Sequence, residues 1–216
     1  MRTQRVKRTM SIAAVAVAAL VAGGCSSDDD SGGMSGMDMG SDSSESTPTS
    51  ADSPVIPADA EFNQADVDFA QGMIPHHAQA IEMADMAIAQ AESPEVIDLA
   101  ERIRAAQDPE IEQLTLWLED WVQDVPDREM SMSADMDGMS MDGLMTQDQM
   151  DEMAAATGAE FDQMFLDMMI VHHEGAVAMA ADEVAEGKFS DAIEMAQAII
   201  DGQSAEIDEM EQFLRG

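Results

Sequence analysis

The sequence predicts an all-α protein, a four-helix bundle assembled from two copies of one helical hairpin. Three observations lead there: the composition, an internal repeat, and a series of helix-capping signals. Of the 216 residues 45% are hydrophobic but only 4% aromatic, enough for one modest core rather than two large domains. With 22 Met, 6 Phe, 2 Trp and no Tyr, that core must be aliphatic and rich in Ala and Met, a mixture that favours helices over sheets.

The repeat is visible when FAQGMIPHHAQAIEMA, from Phe69, is set against FLDMMIVHHEGAVAMA, from Phe165. The offset is a constant 96 residues and continues without a gap, so that Ile97 matches Ile193, Ile103 Ile199, Gln107 Gln203, Glu110 Glu206, Ile111 Ile207 and Leu118 Leu214. About one position in three is identical over about fifty residues, beyond chance for a gapless register. Each hairpin has one apolar face, and packing the two together buries both.

Taken in order, the elements follow from their ends. Asn63 with Asp66 caps a first helix running to about Ala91, and Ser93-Pro94 opens a second that reaches about Val122. Ile97, Ala100, Ile103, Ile111, Leu114, Leu118 and Trp121 recur along it at three- and four-residue spacing, and the period continues past Pro109, which should bend the helix without ending it. Residues 124–145 are Met, Asp, Ser and Gly without a face, and read as a mobile loop. A short helix is expected from Thr146 to about Ala156, then a capping box of Thr157 and Glu160 for a helix to about Glu186. Ser190 opens the last helix, which ends near Leu214. The folded domain is thus residues 59–216, with halves of about 61–122 and 157–215.

The N-terminus reads differently. MRTQRVKR is basic, SIAAVAVAALVAG is apolar but too short to span a bilayer comfortably, and small residues lead into Cys25. A signal peptide over residues 1–24 that ends in Gly-Gly-Cys, with a polar run after it, looks like a bacterial lipobox, which implies cleavage before Cys25 and lipidation of that residue. Residues 25–58, rich in Ser, Asp, Gly and Pro, are expected to be a disordered tether. The protein would then sit lipid-anchored at the outer face of the cytoplasmic membrane or in the periplasm. Cys25 is the one cysteine, so soft sulfur ligands in the mature chain must come from methionine. The formal net charge is −36, and the leader holds four of the nine basic residues. Such a polyanion disfavours nucleic acid and attracts cations, although acidity serves solubility as well.

All four histidines sit in the matched pairs His76-His77 and His172-His173. At about 100° per residue, Phe69, Met73, His76, His77, Ala80, Met83, Ala84 and Ile88 fall in an inward stripe about 140° wide. Met73 lies one turn before the pair and Met83 two turns after it. Met169, His172, His173 and Met179 repeat the arrangement, and alanines at 80, 84, 176 and 180 permit close helix approach. Buried imidazoles need hydrogen-bond partners or a metal. Neutral thioether with borderline imidazole is the ligand mixture suited to Cu(I) and by extension Ag(I), whereas zinc is better served by Cys or more His. A single histidine on an apolar face is usually structural, and a Met stripe usually fills core. Here the pattern is paired, bracketed and doubled. Neighbouring histidines point about 100° apart, so one of each pair can ligate while the other supports it. Pro75 has no counterpart in the second copy, where Val171 stands. Met34, Met37 and Met39, and Met130, Met132, Met136, Met139, Met141 and Met145, add thioethers in flexible acidic chain, which read as low-specificity Cu(I) capture sites or as compositional drift.

On MIPHHAQAIEM and MIVHHEGAVAM the sequence resembles the exported bacterial proteins grouped as domain of unknown function 305, over roughly residues 61–215. The resemblance implies a ferritin-like four-helix bundle, copper binding in some members, and Met73, His76, His77, Met83, Met169, His172, His173 and Met179 as metal ligands. The expectation is a copper-binding lipoprotein for sequestration, buffering or tolerance, with storage, delivery to a copper-transfer partner and oligomeric state left open. It is not expected to be an enzyme. A di-iron oxidase needs Glu-x-x-His, and no Glu lies three residues before any His. A hemerythrin-like reading of HHEG lacks its spaced ligands, and no nucleophile–base pair stands out. The rival is an acidic lipid-anchored scaffold, or a Met-based antioxidant, with no specific metal site.

Overall fold

The capping signals set where the helices begin. Asn63 accepts from the Asp66 amide while Asp66 Oδ2 accepts from the Asn63 amide, and this capping box starts α1, Gln64–Gln90. Ser93 caps α2, Pro94–Asp120, with Pro94 in the first turn where its missing N–H is not needed. Thr146 and Gln149 form a second capping box for α3, Gln147–Ala155. Then follow α4, Ala159–Glu186, and α5, Ser190–Arg215. The computed structural model describes residues 56–57, 59–128 and 143–216, and every regular element among them is helical. The leader, the lipidation residue Cys25, nearly all of the tether, and Met34, Met37, Met39, Met130, Met132, Met136, Met139 and Met141 lie outside the described residues. None of the described helices is long and apolar enough to cross a membrane.

Helix directions define the connectivity. Asn63, at the start of α1, donates to the Glu186 carbonyl at the end of α4. Gly72 faces Met179, and His76 faces His172. As one number rises the other falls, so α1 and α4 run antiparallel. Each hairpin is itself antiparallel, which makes α2 parallel to α4. A parallel pair needs a connection that returns along the bundle, and the described part of the connection between α2 and α4 includes α3. One long crossover between two hairpins is the connectivity of ferritin-like bundles. Helix α1 packs closely on both α2 and α4, and α4 on α5, whereas α2 and α5 approach each other less closely.

The second half departs from expectation at its start. Thr157 and Glu160 do not cap α4; its N-cap is Gly158, with φ of 62° and no side-chain hydrogen bond. Asp162, further along the first turn, accepts from the amides of Glu92 and Ser93 in the turn of the other hairpin, at 2.9 and 2.8 Å. Asp66, its counterpart 96 residues earlier, accepts from Lys188 and Phe189 at 3.0 and 2.8 Å. Each hairpin therefore holds the other's turn shut through a matched carboxylate, and orphan amides at two helix starts are satisfied across the interface.

Two apolar clusters fill the interior. One gathers Met83, Leu99, Ile103, Phe161, Phe165 and Met169, covered by Met145, Met150 and Met153 from the crossover. The other gathers Phe69, Met73, Ile74, Leu114, Leu118 and Ile199, with Met179 and a Phe62, Trp117, Trp121 and Phe189 aromatic group at its edge. The aromatics are few, but they are concentrated. The loop expectation also needs correcting at its end, because Met145 is buried and both its backbone N–H and carbonyl pair with the Gln79 side chain. Gly143, with φ of 90°, lies against the Val171 and His172 carbonyls, where an added Cβ would come within 2.8–3.0 Å.

Buried Glu183 lies beside Asp66, and burial, then contact with the Asp66 carboxylate, pushes its carboxyl up to about 8. The folded state keeps a proton that the unfolded chain has lost, so stability should fall as pH rises from the ordinary carboxylate range to about 8 and level off above it. Urea unfolding at pH 5 and pH 9 should show a loss on the order of 2–4 kcal/mol in the native chain, and a clearly smaller one in Glu183→Gln. Identical profiles for the two proteins would contradict this.

Candidate metal centre

Each of the four long helices changes character at its middle. On α1 the apolar run to Ile74 gives way to His76 and His77 before resuming at Ala80. On α4 the break is His172 and His173, between Met169 and Ala176. On α2 and α5 it is Gln107 with Glu110, and Gln203 with Glu206. These groups form a polar layer across the bundle, and the two apolar clusters lie on either side of it.

The close α1–α4 contact depends on size. Ala80, Ala84, Ala176 and Ala180 are all fully buried, and larger residues there would hold the helices apart. At that approach the His76 and His172 rings face each other across the bundle, centroids 3.9 Å apart and tilted by 46°. The second ring of each pair turns toward its own hairpin partner. His77 Nε2 lies 2.7 Å from Glu110 Oε2, and His173 Nε2 lies 2.8 Å from Glu206 Oε2. The two rings of each pair thus face different neighbours, as the 100° separation of adjacent side chains requires.

Those two carboxylates settle the chemistry of the rings. A carboxylate only accepts, so Nε2 carries a proton toward it, and in the neutral ring Nδ1 presents the lone pair. In both His77 and His173, Nδ1 is buried and has no hydrogen-bond partner. The ring nitrogens of His172 make no hydrogen bond of good geometry. Burial first, then the neighbouring His76, His173 and His77 rings, hold the His172 imidazole well below its ordinary value, against a smaller opposing effect of the His76 backbone. It is therefore a neutral donor at neutral pH.

The methionines flank this layer in mixed pairs. Met73 belongs with Met179 on one side, and Met83 with Met169 on the other. Antiparallel packing requires this crossing, so the Met–His–His–Met sets of the two hairpins interleave. Met73, Met83 and Met169 are fully buried; Met179 is partly exposed, with its sulfur 3.5 Å from where a Gly72 Cβ would stand. All eight expected ligands therefore lie in or beside one layer. Among the described residues no three His, Cys, Asp or Glu side chains are already arranged to hold an ion, so a metal here must draw on thioether sulfur or on a ring rotation. Glu110, Glu206, Gln107 and Gln203 were not singled out from sequence as functional. The signal was present, since all four are identities of the repeat that sit on otherwise apolar faces.

Fold and site together define a four-helix bundle with one crossover and a buried imidazole layer between methionines. The chain belongs to the family described as Domain of unknown function (DUF305), whose model matches residues 66–214. Among solved structures, CopM in the Cu(II)-bound form is 35% identical, over 69% of this chain and 95% of that one, with a TM-score of 0.60. CopM in the Cu(I)-bound form is 33% identical over the same shares, with a TM-score of 0.57. A DUF305 protein from Streptomyces coelicolor is 28% identical, over 70% of this chain and 91% of that one, with a TM-score of 0.63. No curated protein matches the chain.

The tautomers are directly measurable. In the metal-free protein, long-range proton–nitrogen correlation should place the proton on Nε2 of both His77 and His173, and Glu110→Ala should lower stability by about 1–3 kcal/mol by orphaning one of those donors. A proton on Nδ1 of either ring would overturn the assignment.

Proposed function

We propose that this chain is an extracytoplasmic copper-binding protein, anchored to the membrane through a lipidated Cys25, that sequesters or buffers copper and preferentially Cu(I). One observation carries the reading. The two halves bring the His76 and His172 imidazoles together at 3.9 Å, and two carboxylates take Nε2 of His77 and His173, leaving their buried Nδ1 atoms without a hydrogen-bond partner in the same layer. A buried nitrogen lone pair without a donor is destabilising unless something electrophilic meets it, and the groups on either side are thioethers.

The residues fit the ion. His76, His77, His172 and His173 would supply nitrogen, and Met73, Met83, Met169 and Met179 sulfur; Glu110 and Glu206 would orient rings. Neutral thioether and imidazole donors suit a soft monovalent ion, and extend to Ag(I). The likeness to CopM, solved with Cu(II), Cu(I) and silver, supports the same class of ion here. The basic and apolar leader ending at Cys25 supports export and anchoring. Binding rather than catalysis is proposed, with copper held for storage or passed to a transfer partner.

Anaerobic Cu(I) titration against a coloured chelator tests it, with Zn(II) as control. The native chain should compete for Cu(I) well and for Zn(II) poorly. Replacing His76, His77, His172 and His173 together by Ala should weaken Cu(I) binding by at least about 100-fold while helicity by circular dichroism is retained. Unchanged Cu(I) binding in that variant would remove the layer as the site, and leave the Met-rich segments or a non-metal role.

A further inference from the structure

The histidines are fully buried, so a metal that reaches them needs a route. Helices α2 and α5, which pack less closely than α1 and α4, leave a half-open cavity of about 50 Å³ between them. That is room for a few water molecules, or for an ion with part of its hydration shell. Glu110 and Glu206 line it, partly exposed at 24% and 17%, and the same carboxylates bond His77 and His173. They are the direct link between the buried rings and solvent. Gln107 and Gln203 also line it. Both are at least nine-tenths buried, and the side-chain oxygen of each has no hydrogen-bond partner.

Oxygen donors of this kind suit a hydrated cation in transit more than a soft ion at rest. They are not arranged as a chelate, since among the described residues no three acidic or histidine side chains converge. A chelate would trap the ion at the mouth, whereas separated oxygens let it shed water stepwise.

Gly202 marks a stretch of the cavity wall that carries no side chain. It sits in the interior of α5 and lines the cavity, and a Cβ built there meets nothing within 4 Å. Glycine in a helix interior is destabilising by about 0.5–1 kcal/mol relative to alanine. Neither packing nor backbone conformation requires it here, and a side chain longer than a methyl group at this position would extend into the cavity. Its counterpart in the first half, Ala106, is also small and lines the same cavity. The cavity's ends differ. Arg102 on α2 bridges to Glu209 on α5 at 2.7 Å, while Ala198, which matches Arg102 in the repeat, leaves the other end unbridged.

We infer that the cavity between α2 and α5 is the port through which copper passes between solvent and the buried His–Met layer, admitted by Glu110, Glu206, Gln107 and Gln203. This rests on the copper-binding reading and adds the route to it. The port governs rates, not affinity, so plugging it should slow loading and unloading together. Gly202→Leu and Ala106→Leu fill the cavity from exposed positions on opposite helices, and Gly202→Ala is the control. Stopped-flow transfer of Cu(I) from its bicinchoninate complex to the full chain, and back to excess bicinchoninate, reads both directions. Each Leu variant should slow both at least tenfold with the final distribution of copper unchanged, and Gly202→Ala should stay within twofold of the native chain. Native-like rates in both Leu variants would overturn the port while leaving the site intact. Weakened equilibrium binding with unchanged loading would also overturn it, by making these positions part of the site. Failure of the native chain to take copper would instead remove the site and the port together.

Discussion

The close approach of α1 and α4 is the constraint on which the rest depends. Four fully buried alanines, two from each helix, let the helices pack so that rings 96 residues apart in sequence meet at 3.9 Å. The same approach interleaves the two methionine sets, and it leaves α2 and α5 on the outside with a cavity between them. Matched carboxylates then fix the arrangement, because Asp66 and Asp162 each bind the turn of the opposite hairpin. A duplicated hairpin thus makes one polar layer to which both halves contribute.

That layer is unfavourable for stability taken alone. Each buried polar atom without a partner costs about 1–3 kcal/mol, and Nδ1 of His77, Nδ1 of His173 and the side-chain oxygens of Gln107 and Gln203 are four of them. Replacing such a layer by aliphatic side chains would join the two apolar clusters and strengthen the core. Glu110 and Glu206 offset only part of the penalty, by satisfying one nitrogen of each ring. The layer at the midpoint of all four helices therefore costs stability, as polar groups buried for function usually do, which is consistent with the binding role proposed for it.

Much of the architecture was legible in the sequence because it is written in local terms. Caps at Asn63, Ser93 and Thr146, a gapless repeat and an inward stripe are properties of a dozen residues at a time, and the helices start where those signals place them. All eight histidines and methionines assigned to the site lie in or beside the layer. What the sequence did not reveal is what depends on partners distant in the chain. Thr157 and Glu160 read as an ordinary helix start, yet α4 begins after Gly158 without a side-chain cap, and the nearby Asp162 is engaged 69–70 residues away. Glu110 and Glu206 look like surface acids until α1 and α4 are placed beside them. Met145, at the end of a faceless Met-rich run, is held by Gln79, a pairing with no sequence signature.

The most direct test of the account is X-ray absorption at the copper edge of the full chain loaded with one equivalent of Cu(I). Both sulfur scatterers and the multiple-scattering signature of imidazole should be present, and the imidazole signature should vanish when the four histidines are replaced. A spectrum of sulfur alone, or of light oxygen and nitrogen donors without imidazole, would mean that copper rests elsewhere and that the buried layer is not its site.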